Sequence, residues 1–556
     1  MRVTMHGLTS GWWCRAGLQV CEANRIDAHP DGGRCRRRPV APTGARAFSP
    51  PFAVCSSRQR TMARPRRSLA KAGRPVVAVI ALVASTAMAS AAVAAQDQRL
   101  VEAVERQDRD AVRTLLADSV DVNAPQPDGA TPLHWAAHWN DLDTANLLIQ
   151  AGANVNAENE LGVTALSLAA LNASATMTDA LLRAGAEPNA TRPGGETVLM
   201  TAARTGNAEL VQALLAAGAD VQSSGHFQGQ TPVMWAASEG HARVVEVLLE
   251  AGAEVHARSK HGTTALLLVA RHGDVDTARV LLGAGADVNG AEPVLAVDAR
   301  VDVEESQTSG RSPLLVASAS VVATSGWEYG LVVMPSTHET LAIFLLDQGA
   351  DPNLPDSIGR TPLHAAVETG KAALVQALLA HGADPNARLI EAPFVLKGDF
   401  VAYGRYVGAT PLWLAAAARV PNVDILRALA AAGADAGVAA DDGTTPLMAA
   451  VGMVQNEARL APESEALKLV TLLVDLDIDV NAVDRRGRTA MHGAARLARN
   501  TLIPVLVDNG AKVDVADARG QTPLDVGTVS RPLHPDTASL LRSLGATSGT
   551  AGPEQR

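Results

Sequence analysis

Cysteine is missing from most of this 556-residue chain: Cys14, Cys21, Cys35 and Cys55 all lie in the first 61 residues. The other 495 residues must hold together without disulfides, and they tolerate an oxidising compartment for the same reason. Aromatic residues are scarce as well, 3% Phe, Trp and Tyr against 47% hydrophobic in total. That balance leaves Ala and Leu to pack closely spaced helices. Cationic residues run short beyond residue 95. The first 95 residues hold 15 Lys+Arg and 3 Asp+Glu, which leaves 33 positive and 55 negative residues downstream. Phosphate binding rests on a basic face, so a nucleic-acid partner is disfavoured.

Recognised chemistry is missing too. No G-x-S-x-G elbow, H-E-x-x-H pair or calcium loop occurs in the sequence. "GAGADVNG" at 283–290 follows a helical pattern where a dinucleotide loop would follow a strand, and Gly370-Lys371 lacks the upstream glycine and the Ser/Thr of a phosphate loop. No Cys/His cluster has metal-ligand spacing. The expectation is therefore no enzyme, no cofactor and no metal.

The amino-terminal region does have a pattern. After Met62 come Arg64, Arg66, Arg67, Lys71 and Arg74, then the uncharged "PVVAVIALVASTAMASAAVAA". A cationic start, an apolar centre and small residues at the exit make a secretory signal peptide over 62–95, cleaved near Ala91 to Ala95. "RRSLAK" at 66–71 is similar to a twin-arginine signal. An uncleaved anchor is the competing reading of the apolar run. Residues 1–61, without periodicity, are read as an upstream extension that does not fold. The expected location is periplasmic or secreted, with no stable membrane insertion after cleavage.

Downstream, a Gly-x-Thr/Ser unit recurs at Thr131, Thr164, Thr197, Thr231, Thr264, Ser312, Thr361, Thr410, Thr445, Thr489 and Thr522. The base spacing is 33 residues. Each unit opens with a sequence such as "TPLHWAA" at 131, "TPVMWAA" at 231, "TPLHAAV" at 361 or "TPLWLAA" at 410. The Thr hydroxyl can cap a first helix, and Pro at its next position has no N–H to lose. About 13 residues further on, a second apolar-periodic segment closes on "GAD" or "GAN", as at Gly152, Gly218 and Gly382. Asp477 stands where that Gly is expected, which predicts a differently closed helix.

Period and motif together resemble ankyrin-repeat proteins. The resemblance covers nearly everything after residue 97 and implies an all-α solenoid of about twelve helix-turn-helix units with finger loops. An amino-terminal capping unit is expected over 97–127, the array over 128–518, a carboxy-terminal cap over 519–547 and an unfolded tail over 548–556. One such helix pair cannot bury its apolar face alone, so stacking must stabilise it. His134, His364 and His492 share one repeat position, where each can order its own turn by hydrogen bonding. Trp135 and Trp235 share another and are read as packing between units.

Four insertions break the period, near 290–308, 319–337, 389–407 and 452–466. In ankyrin proteins the first and third of these would lengthen fingers at the edge of the concave face. "APFVL", "KG" and "DFVAY" predict a hairpin in the third. Of the 12 aromatic residues after position 95, six lie in two insertions: Trp327, Tyr329, Phe394, Phe400, Tyr403 and Tyr406. Loops on a rigid scaffold commonly bind, and Tyr and Trp are favoured anchors, so these six are the candidate partner-binding residues. The same residues could instead seal the insertions onto the array. The resemblance implies a protein-protein interaction scaffold, expected to be a monomer, and the signal pattern with the Ala- and Arg-rich composition makes it an exported bacterial type. The alternatives are an effector acting on host proteins, or an enzyme with a site in the insertions that would use Asp399 and Arg405.

Overall fold

The computed structural model describes residues 98–225, 228–293, 310–319, 321–322, 332–333, 337–390, 407–454, 460–529 and 534–549. All of them lie in the second of two units, Met1–Val76 and Val77–Arg556, into which the chain divides. The leader, the upstream segment and the six candidate aromatic residues are outside the described residues.

Twelve helix pairs succeed one another among the described residues, the first formed by 98–105 and Arg109–Ala117. Most first helices have six to eight residues and most second helices nine, as in Pro132–His138 with Leu142–Gln150 and Pro232–Ser238 with Ala242–Glu250. Helices this short are marginal in isolation. What stabilises them is stacking: first helices pack on first helices and second on second along the array. One apolar cluster runs from Leu100 to Ala546 through every pair, which is the one-dimensional core a repeat protein requires.

The repeated residues close the helix ends. Thr197, Thr231, Thr361, Thr410 and Thr445 each accept a hydrogen bond from the backbone N–H three residues on. Pro232, Pro362, Pro411 and Pro446 stand at the first helical position. Five second helices take Asp or Asn caps, as where Asp274 accepts from Thr277 N–H at 2.7 Å. At their other end Gly152 adopts φ 88°, and the Ala153 N–H reaches back to the Leu148 carbonyl at 2.9 Å. An L side chain there would be strained.

A second set of bonds repeats between units. The Asn189 amide donates to the Gly218 carbonyl at 3.0 Å and accepts from the Asp220 N–H at 2.8 Å. Asn156, Asn353, Asn386 and Asn481 make the same two-bond rung to their next units. Successive fingers are tied by backbone bonds such as Glu160 N–H to Asp128 O and Ile390 N–H to Ile358 O, each 2.9 Å.

The insertions leave these rows intact. The bases of two of them are stapled: Glu292 N–H donates to Arg311 O at 3.1 Å, and Leu389 exchanges bonds with Ala409 O at 3.1 Å and Gly408 N–H at 2.7 Å. The hairpin expected above Leu389 lies in 391–406, outside the described residues. A short antiparallel pair is found in a different insertion, with Val321 opposite Val333 and Val322 opposite Val332. Asp477 keeps a left-handed backbone, φ 56°, which Asp tolerates better than most side chains. The helix before it closes differently, as expected: it ends at Val474, and Leu476 N–H donates to the Leu473 carbonyl at 3.1 Å where other units donate from the glycine.

Candidate interaction surface

The first helices are buried along most of their length and open to solvent mainly at their carboxy-terminal ends; three residues past the capping Thr the side chain is still buried, as with His134, His364 and His492. At that position the Thr131 N–H donates to His134 Nδ1 at 3.1 Å. The proton must then sit on Nε2, which donates to the Val163 carbonyl of the next unit at 2.8 Å. His492 repeats this with Thr489 and, at 3.1 Å, with Gln521 O. His364 makes the Thr361 bond at 3.2 Å. Its ring lies near the Ala409 and Ala387 carbonyls, but Nε2 has no hydrogen bond of normal geometry. Burial holds all three imidazoles below the usual histidine value, and pushes His364 down to about 4. The sequence implied that each ring orders its own turn; at His134 and His492 it also reaches across to the next unit. These are structural histidines, spread over separate units, and no group of three or more His, Cys, Asp or Glu side chains that could hold a metal occurs among the described residues.

One residue further along, Trp135 and Trp235 are partly buried and pack against the core cluster, as their shared repeat position suggested. Trp135 Nε1 donates to Gln126 Oε1 at 2.9 Å. The Arg204 guanidinium lies 5.5 Å from the Trp235 ring centroid.

At the ends of the first helices the residues differ from unit to unit and face outward: Trp139, Arg204, Glu239, His272 and Glu368 are all exposed. Trp139 is 44% exposed. Its ring lies 6.3 Å from Trp135 and 25° from parallel, and His138 packs edge-on at 4.7 Å. Sequence reading did not single it out, because "HW" at 138–139 falls past the repeated motif. Further along, Glu292 accepts from Arg271 at 2.5 Å and from Arg311 at 3.0 Å, and Arg360 pairs with Glu368. None of the six aromatic residues chosen from the insertions can be placed on this surface, since all lie outside the described residues. No described helix is long and apolar enough to cross a membrane.

Known proteins share this architecture. A family model described as "Ankyrin repeats (3 copies)" matches residues 100–192, 166–259 and 199–292, and one described as "Ankyrin repeat" matches 358–388. Human "Neurogenic locus notch homolog protein 1" is 32% identical over 226 residues, which is 40% of this chain and 8% of that protein. Its Danio rerio namesake is 30% identical over 225 residues, with the same two shares. Human "Neurogenic locus notch homolog protein 2" is 30% identical over 173 residues, 31% of this chain and 4% of that one. The chain thus spans only a small part of the length of these relatives. The helix pairs over residues 100–292 and 358–388 are ankyrin repeats, and the helix stacking described from residue 98 onward is the fold of an ankyrin solenoid.

Proposed function

We propose that the chain is a non-catalytic binding scaffold whose partner proteins lie against the exposed ends of the first helices and the finger loops. One observation carries this. Positions that join units recur along the array, whereas Trp139, Arg204, Glu239, His272 and Glu368, exposed on the same row of helices, vary from unit to unit. A rigid frame with a variable surface is what recognition needs, because little conformational entropy is lost when it binds. The aromatic insertion residues Trp327, Tyr329, Phe394, Phe400, Tyr403 and Tyr406 extend this surface in our reading. The test is quantitative capture from the native cell. The intact chain should retain a partner that both the doubly reversed Arg204→Glu, Glu239→Arg variant and a chain lacking 391–406 retain poorly. Equal retention by all three would overturn the proposal.

We further read the chain as exported, to the periplasm or beyond the cell. The support is the cationic-apolar-small order of residues 62–95. Amino-terminal sequencing of the native protein should find a start between about residues 91 and 96, just past the small-residue exit. A mature start at or before Met62 in a cytoplasmic fraction would refute it.

A further inference from the structure

Trp135 and Trp235 occupy the same place in their units, four residues past the capping Thr, and each is approached by the unit before it. For Trp235 the approaching side chain is Arg204, stacked at 5.5 Å. Arg204 stands two residues before the left-handed Gly206 that ends its helix turn, and two residues before the left-handed Gln107 stands Glu105. The place that supplies a guanidinium at Trp235 therefore carries a carboxylate in the unit before Trp135.

That carboxylate is fixed. Gln126 Nε2 donates to Glu105 Oε2 at 2.9 Å while Gln126 Oε1 accepts from Trp135. Trp139 Nε1 donates to the Glu105 carbonyl at 3.2 Å, which keeps its half-open ring beside the same residue. The nearest cations in sequence are engaged elsewhere: Arg106 pairs with Glu102, and Arg109 with Asp141 and Asp143. Aromatic faces and an anion are thus in place, and the guanidinium that completes the arrangement at Trp235 is replaced here by Glu105 itself.

We propose that an arginine side chain of a partner protein docks beside Glu105, stacking on Trp139 and pairing with the Glu105 carboxylate. Arginine fits better than lysine because a planar guanidinium can stack on a ring and present two N–H donors to one carboxylate at once. The acidic balance downstream of residue 95, 55 negative against 33 positive residues, favours approach of a basic segment. This inference rests on the scaffold reading and names the chemistry of its partner.

The probe is the blocked pentapeptide acetyl-Gly-Ser-Arg-Ser-Gly-amide and its twin with citrulline, which keeps the shape and removes the charge. Titrated into the full chain and followed by tryptophan fluorescence and calorimetry, the arginine peptide should bind saturably and the citrulline peptide about ten-fold or more weakly. Trp139→Ala should weaken the arginine peptide by a similar factor. Glu105→Arg places a guanidinium where Arg204 stands before Trp235, so it should remove binding while the chain still unfolds cooperatively, with only a small loss from the Gln126 bond. Equal binding of the two peptides, no saturable binding, or full binding by Glu105→Arg would each overturn the proposal. Should Glu105→Arg fail to fold, the citrulline comparison and Trp139→Ala decide. Cellular partner capture that survives in Glu105→Arg would sink the arginine slot alone and leave the scaffold reading standing.

Discussion

The Trp413 indole N–H donates to the Thr444 carbonyl at 2.8 Å, and in doing so makes the bond that His134 and His492 make to Val163 and Gln521. Trp413 stands three residues past Thr410, the histidine position of its unit. Thr444 O already accepts from Ala440 N–H at 2.9 Å, the bond that closes its finger, so the ring ties a first helix to the neighbouring finger. Trp413 is fully buried. Trp413→Phe removes the donor and part of the volume, leaving the carbonyl one partner, and should cost about 1–2 kcal/mol. Trp413→Ala should cost about 3–5 kcal/mol by adding a cavity. Urea unfolding measures both; an unchanged midpoint in Trp413→Phe would mean that the bond contributes nothing.

The histidine ties make stability depend on pH. His364 is fully buried, and its value falls from 6.5 to about 4 because burial disfavours the imidazolium. Protonating Nδ1 would also take away the acceptor for the Thr361 N–H. A depressed value means that the unfolded chain binds the proton first. The contribution is therefore whole above pH 6.5, declines as pH falls, and is gone below about 4. It amounts to about 3 kcal/mol. His134 and His492, shifted in the same direction, act likewise. Unfolding free energies measured at steps between pH 7 and 4.5 should fall steeply in the native chain and less steeply in His364→Gln. Parallel slopes would sink the assignment.

Much of the fold was legible in the sequence, and the failures have physical causes. Thr-Pro starts and glycine ends act within a few residues, so "TPLHAAV" alone implies the Thr361 cap and the helix Pro362–Glu368 that are observed. The far side of each ring is different: the His134 Nε2 partner is 29 residues away, a relationship set by stacking and invisible to local pattern. Trp413 could have been found by laying "TPLW" over "TPLH". Asp477 in place of glycine foretold the altered helix end, where Leu476 rather than the left-handed residue makes the closing bond, but not that the positive φ itself would survive. Glu105 escaped notice because its unit lacks Thr-Pro, and its register emerges only through Gln107 at φ 59°.

Glu292 joins two arginines at the base of an insertion, accepting from Arg271 and Arg311 while its own N–H bonds to Arg311 O. Its side chain is only 10% exposed. Glu292→Ala should leave two guanidiniums facing each other and let this base open more often. Hydrogen exchange at the residue 292 amide should then speed up by about ten-fold, with amides near Leu148 and Leu214 unchanged. Unchanged exchange at residue 292 would show that the backbone bond holds without the ion pairs.

The amide rungs predict where the array is weak and how to strengthen it. The rung residue stands four places past the helix-ending glycine: Asn156 after Gly152, Asn189 after Gly185, Asn386 after Gly382. His256 and Gly437 occupy that place after Gly252 and Gly433, so these two seams lack the asparagine rung. Asn189→Ala removes two bonds of 3.0 and 2.8 Å. Because the site is exposed and water can replace them, the loss should be only about 1 kcal/mol. Gly437→Asn should do the reverse. A Cβ at 437 would meet nothing nearer than Asp435 Oδ1 at 3.2 Å, and Asn386 follows Asp384 in the same way, donating a 2.8 Å bond from its backbone N–H to Asp384 Oδ1. The new amide would reach the loop after Glu463–Val474, and replacing glycine also lowers the entropy of the unfolded chain. A gain of about 1 kcal/mol is expected, read as a higher urea midpoint at unchanged slope. If Asn189→Ala costs stability but Gly437→Asn gains none, the seam at 437 is held by something other than the missing rung.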